Sequence, residues 1–242
     1  MPEATYRNFG HYISEGWSIS PKQTFQALAR IIEEARGRDV SGELLDVGCA
    51  TGELLGYLLS VFPRLRGTGI DVFEPLLEKA RRLLTEVSFF KASALEIRER
   101  LRGEFDVVTA VGVMSVFDET EIERFWRNLL AAVRPDGIVA VLSPLNEHGV
   151  DTMIRHRKRA VGRPLDWETG WNIHSTDSIR EIVAALGHQV RFERFNFQGN
   201  LSPREDPVRT WTMATEKCRN QLTNGLKLLI DHYFMIVDLG KR

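Results

Sequence analysis

The residue types and spacing best suited to chemistry lie in the stretch 44–55, LLDVGCATGELL, where Gly48 and Gly52 bracket a turn between an apolar strand and a helical pattern. Glycine lets the backbone come close to a ligand and take angles that other residues resist. The start of the following helix presents free amide groups to a carboxylate or hydroxyl. A plain tight turn is the alternative. A dinucleotide fingerprint would need G-x-G-x-x-G, and Ala50 and Glu53 stand where its second and third glycines would fall, setting an acidic side chain against a pyrophosphate. No Lys-Ser or Lys-Thr follows the glycines, which removes the phosphate-binding P-loop as well.

A second group sits ~20 residues further on, where Asp71 ends the second strand in GTGIDVFEP and its carboxylate can accept both hydroxyls of a ribose. It could instead cap the helix that begins at Glu74. With the glycine loop beside it, the ribose reading is preferred. Arg155, Arg157, Lys158, Arg159 and Arg163 make one dense basic run. Such runs are usually a solvated helix face, but Arg forks also fit phosphate on an anionic ligand.

These groups need a sheet with one ligand-bearing edge. A covering helix is predicted over 21–36, with Phe25, Leu28, Ala29 and Ile32 on one face. A strand over 43–47 runs into Gly48, and a helix follows over 53–62. The order repeats as strand 68–71, helix 74–84 and strand 87–91, then strand 105–111 and a helix over 122–133 that Pro135, Asp136 and Gly137 stop before strand 138–142. This alternation implies a parallel sheet covered by helices on both sides. Residues 144–172 are polar, basic and tryptophan-bearing, an insertion near the site, before a helix over 176–186. Strands over 188–197 and 233–239 are expected to pair antiparallel at the sheet edge.

The 43% hydrophobic and 27% charged content is that of an ordinary globular chain, and no apolar run approaches the ~20 residues of a membrane helix. The start, MPEATYRNFGHYISEGW, lacks the pattern of a secretory signal, so a cytoplasmic location is expected. Cys49 and Cys218 allow neither a disulfide framework nor a cysteine-based zinc site, and no metal is expected. A net charge of -1 gives no overall attraction to nucleic acid.

The stretch from Glu43 to Leu142 resembles the class I S-adenosylmethionine-dependent methyltransferases. Their D-x-G-x-G-x-G pattern is matched by Asp46, Gly48, Ala50 and Gly52, with Ala50 departing from the usual glycine. The resemblance implies a Rossmann-like, doubly wound α/β fold with a mostly parallel seven-stranded sheet and an antiparallel last strand. It also implies S-adenosylmethionine as cofactor. The chain reads as a single domain over 1–242, with covering helices in 1–36, a cofactor core in 43–142, and substrate-facing insertions with edge strands in 143–242.

Carried over residue by residue, Gly48, Cys49, Ala50, Thr51 and Gly52 lie against the amino-acid end of the cofactor, Asp46 supports the loop, and Asp71 with Val72 holds the ribose side. Ser93 and Ala94 occupy the adenine position, where Ser93 replaces the family's acid. Val111, Gly112 and Val113 face the methionine moiety. The segment 167–174, and the Arg209-Thr-Trp region with the later LTNGLKLLIDHYF, are similar to methyltransferases encoded among polysaccharide-biosynthesis genes. They favour a sugar, a nucleotide-linked sugar or another polar small molecule as acceptor.

Transfer to a neutral hydroxyl benefits from a base, most often histidine. His148, in SPLNEHGVD after the fifth core strand, and His174, in GWNIHSTDS before a helix capped by Ser175 or Thr176, are the candidates. Each has a role-free alternative as a loop or helix-start residue. His11, Tyr12 and Trp17 form either a lid or a docked aromatic helix. A noncatalytic cofactor-binding module and a nicotinamide-dependent oxidoreductase are the competing functions, the second opposed by Ala50 and Glu53.

Overall fold

The computed structural model describes residues 20–96, 101, 103–157, 159–160, 163–164, 166–169, 171–196, 212–213, 221–223 and 229–240. In chain order the principal elements are α1 (Gln23–Arg36), β1 (Gly42–Val47), α2 (Glu53–Val61), β2 (Leu65–Asp71), α3 (Glu74–Leu83), β3 (Ser88–Lys91) and β4 (Phe105–Val111). They continue as α4 (Ile122–Ala132), β5 (Val133–Asn146), α5 (Thr176–Ala185), β6 (Arg191–Phe195) and β7 (Leu229–Asp238). The seven strands lie in the order β3-β2-β1-β4-β5-β7-β6, with β7 antiparallel to both neighbours and every other pairing between parallel neighbours. Short pieces at His174–Ser175, Thr212–Met213 and Gln221–Thr223 extend the same sheet.

Central strands read as unbroken apolar runs because both of their faces are covered. Leu44, Leu45, Val107, Val108, Val139 and Val141 are fully buried. On one face they meet Leu28 of α1, Leu55 and Leu58 of α2 and Leu77 of α3, and on the other Phe125, Trp126 and Leu129 of α4 with Ile179 and Val183 of α5. Each such side chain contributes about 1.5–3 kcal/mol on burial. After β1 the chain builds outward through β2 and β3, then returns to the other side of β1 as β4. This reversal opens a crevice at the carboxyl ends of β1 and β4, the usual ligand position in such sheets.

Three expectations change in detail. β5 runs well beyond 138–142, because Val133 already pairs with Phe105, and Ser143, Pro144 and Leu145 pair with Tyr233, His232 and Asp231. β7 begins at Leu229 and pairs antiparallel with β6, but it lies between β5 and β6, so β6 forms the edge. The basic run follows strand segments, Arg155–His156, Arg159–Ala160 and Arg163–Pro164, rather than a helix. No helix among the described residues is long and apolar enough to cross a membrane.

Candidate active site

The loop after β1 is held from below by β2. The amides of Gly48 and Cys49 donate to the Ile70 carbonyl at 2.8 and 3.0 Å, and Gly52 N–H closes on the Cys49 carbonyl at 2.8 Å. Gly48, Ala50 and Gly52 all take positive φ, 73°, 48° and 78°. A side chain at Gly48 would collide with Val113, since its Cβ would lie 2.2 Å from Val113 Cγ2. Ala50 holds a backbone angle natural to glycine, which costs about 1–3 kcal/mol and is kept where the surroundings enforce it.

Asp71 supplies that enforcement. Its Oδ2 accepts Ala50 N–H at 2.9 Å and its Oδ1 accepts Phe73 N–H at 2.9 Å. The residue capping α3 is Phe73, without a side-chain capping bond, so Asp71 ties the two loops together instead of capping the helix. A carboxylate has about four lone-pair positions, so Asp71 can still accept from a ligand. Burial pushes the Asp71 carboxyl up, opposed by the amides of Phe73, Ala50 and Val72.

Asp46 lies deeper, 2% exposed, and accepts the Thr109 hydroxyl at 2.7 Å. Burial pushes its carboxyl up to about 7, with Thr109 opposing and the nearby Asp71 adding to the rise. The Cys49 thiol is held well above its ordinary value, first by burial and then by Asp46 and Asp71, which makes it a poor nucleophile. Glu53 is buried in the first turn of α2, where its charge suits the helix dipole and opposes a phosphate.

Thr51 is buried in the loop, and Val72 beyond Asp71 is 41% exposed. Ser93 Oγ accepts Leu95 N–H at 3.2 Å, which leaves its hydroxyl proton to give, while the Ala94 carbonyl receives Asn128 Nδ2 at 2.9 Å. Val111 and Val113 are half-buried on either side of Gly112. Gly112 itself is exposed, at φ 72°, and a Cβ there would meet none of the described residues within 4 Å. The loops after β1, β2, β3 and β4 thus share one edge of the sheet.

The two histidines fall in different surroundings. His148 is exposed just past β5, its amide donating to Asn146 Oδ1 at 2.9 Å. His174 is 1% exposed, with Nε2 lying 3.4 Å from the Phe117 carbonyl. Burial lowers its pKa, against the pull of Asp151. Ser175 caps α5 through Ser178 N–H at 3.1 Å, and Asp151 accepts both Ser175 N–H and the Ser178 hydroxyl at 2.6 Å.

Residues 1–19, Cys218 and the Arg209–Trp211 region lie outside the described residues. Sequence patterns missed Thr109, Asp151 and Asn172. Thr109 was visible as the polar break in FDVVTAV, whereas the contacts of Asp151 and Asn172 span loops and leave no periodic mark.

A methyltransferase domain family matches residues 45–139. The chain is 32% identical to the mitomycin biosynthesis 6-O-methyltransferase of Streptomyces lavendulae over 121 residues, 46% of this chain and 33% of that one. Its fold is similar to the DhpI–SAH complex, with a TM-score of 0.60 at 17% identity over 96% of this chain and 91% of that one. The 1,6-didemethyltoxoflavin N1-methyltransferase of Burkholderia thailandensis, solved with S-adenosylhomocysteine, gives 0.55 at 16% identity over 91% and 80%. At these identities the structures establish the fold. The chain spans between 33% and 56% of the length of the curated relatives it matches.

Proposed function

We propose that the chain, whose residues 45–139 match a methyltransferase domain family, acts as a class I S-adenosylmethionine-dependent methyltransferase and transfers a methyl group to a hydroxyl or amine of a small polar acceptor, sugar-like or anionic, in the cytoplasm. The observation that carries this reading is the positive-φ loop at Gly48, Ala50 and Gly52 tied to the Asp71 carboxylate beside the sheet crevice. The donor set fits the cofactor: a carboxylate that can still accept from a ligand hydroxyl, a loop of close-approach backbone, and an exposed Gly112. No basic group is needed for a ligand that lacks phosphate. S-adenosylmethionine supplies an electrophilic methyl on a sulfonium.

This chain's residues bind and orient. Asp71 takes the ribose hydroxyls, Ser93 donates to the adenine edge in place of a carboxylate, and Val72 offers an apolar surface to the ring. Asp46 keeps the loop in place through Thr109. Holding an acceptor in line about 3–3.5 Å from the methyl carbon supplies much of the rate. Of the two histidines, exposed His148 takes the role of base, and buried His174, spanning to Phe117, steadies the floor of the acceptor side.

Calorimetric titration with S-adenosylmethionine tests the reading. Binding is expected in the wild type, and Asp71→Ala should weaken it about 100-fold by removing a charge-assisted pair of hydrogen bonds. Absence of binding in the wild type, or indifference to Asp71→Ala, would sink it.

A further inference from the structure

The insertion between β5 and α5 folds back on itself as an antiparallel ribbon. Its rungs are Thr152 with Ile173, Arg155 with Thr169, His156 with Glu168, Arg159 with Pro164 and Ala160 with Arg163. The base joins the sheet where His174 and Ser175 pair with Leu145 and Asn146 at the carboxyl end of β5. Asn172 fastens the same base to the turn after β4, through its amide to the Ser115 carbonyl and its Nδ2 to the Phe117 carbonyl. The ribbon therefore stands on the sheet edge that carries the glycine loop and Gly112.

Its charge is unlike that of the rest of the chain. Residues 152–173 hold five Lys or Arg against two Asp or Glu, within a protein of net charge -1. The register sets position 157 opposite position 167, and there the side chains meet, with Arg157 Cζ 4.9 Å from the centroid of the Trp167 ring. Cross-strand stacking of this kind fixes the guanidinium while leaving its N–H fork in plane and able to bind. Trp167 remains 54% exposed, so this large ring adds little to a core and offers its surface to a ligand. Arg155, two residue pairs nearer the base, is exposed as well.

We propose that Arg155, Arg157 and Trp167 bind a nucleoside diphosphate handle on the acceptor, with its planar base against the indole and its diphosphate on the two guanidinium groups. This rests on the methyl-transfer reading above and deepens it by separating recognition from chemistry. At about 3.3 Å per residue, Arg157 stands no more than roughly 17 Å along the ribbon from Thr152. An acceptor held there by its handle presents its far end near the base of the ribbon, beside His148 and the loops around Gly112.

The test is calorimetric titration with uridine diphosphate, uridine and inorganic pyrophosphate, with and without saturating S-adenosylhomocysteine to fill the cofactor site. Uridine diphosphate is expected to bind the saturated protein. Trp167→Leu and Arg157→Gln should each weaken it at least about tenfold, with the affinity for S-adenosylhomocysteine and the melting temperature unchanged. Trp167→Leu should also weaken uridine and spare pyrophosphate. No binding of uridine diphosphate, or binding that both variants leave intact, overturns the handle. Failure of S-adenosylhomocysteine itself to bind breaks the methyl-transfer reading instead, and the response of uridine diphosphate to the two variants still decides the handle.

Discussion

Around the loop after β1, the supports come from strands: the Ile70 carbonyl and Asp71 of β2, and Thr109 of β4 beneath Asp46. The insertion after β5 is anchored at its base by the side chains of Asn146 at the end of β5 and of Asp151 and Asn172 in loops. One region is fixed by backbone geometry that tolerates few substitutions. The other hangs from a few polar anchors at its base. The same sheet edge thus carries a constrained half suited to an invariant ligand and an adaptable half suited to a particular acceptor, in keeping with loops that bear function on a rigid scaffold.

The largest effect that would break this contrast is expected at Gly48. Gly48→Val places a β-branched residue at φ 73° and drives its Cβ into Val113. Backbone strain of about 1–3 kcal/mol and overpacking of similar size should together cost about 2–6 kcal/mol. Cofactor binding should vanish in calorimetry, and the midpoint of urea unfolding should fall. A variant that folds and binds normally would show that the loop is not the rigid half.

Next in size is a pH effect centred on Asp46. Its carboxyl sits at about 7 when folded, against an ordinary value of about 3.9, so between those limits the folded protein holds the extra proton. Stability from this group is therefore greatest at low pH, falls as pH rises through about 4 to 7, and levels off above, a span of about 4 kcal/mol. His232 acts in the opposite sense, because burial pushes it down to about 4 and its stability contribution is lost as pH falls below its ordinary range. The difference between wild type and Asp46→Asn cancels the histidine. Urea unfolding from pH 4 to 8 should show the wild type losing ground to the variant across that window, and parallel curves would place Asp46 in contact with solvent.

The two halves also differ in how far they could be read from sequence. Strand, turn and helix around Gly48 were legible because local propensity, glycine position and buried apolar runs agree there. The extension of β5 to Asn146 and the place of β7 were not, since both depend on long-range pairing of Ser143 with Tyr233 and Leu145 with Asp231. In the insertion, five basic residues suggested a helix face, yet Arg155 and Arg157 recur at the period of a strand opposite Thr169 and Trp167. Ala50 was visible as a departure, but its strained φ of 48° became intelligible only with the Asp71 contact.

The smallest of the three effects asks whether the halves are separable. Asn172 is fully buried, donates to the Phe117 carbonyl at 2.9 Å and accepts Ile154 N–H at 2.8 Å. Asn172→Leu keeps the volume but strands Ile154 N–H and leaves the Phe117 carbonyl only the longer contact with His174 Nε2, at about 1–3 kcal/mol for each lost bond before local relaxation. A net loss of about 3 kcal/mol should lower Tm by about 6–12 °C for a chain of this size. Hydrogen exchange at Ile154 should quicken while exchange at Gly48 stays slow, and affinity for S-adenosylhomocysteine should hold within about threefold. The anchors of Gly48, which are Ile70 and the Asp71 to Ala50 bond, do not pass through Asn172. If cofactor affinity fell in step with Tm, the turn after β4 would have to carry strain from the ribbon base to Val113, and the two halves would be one cooperative unit.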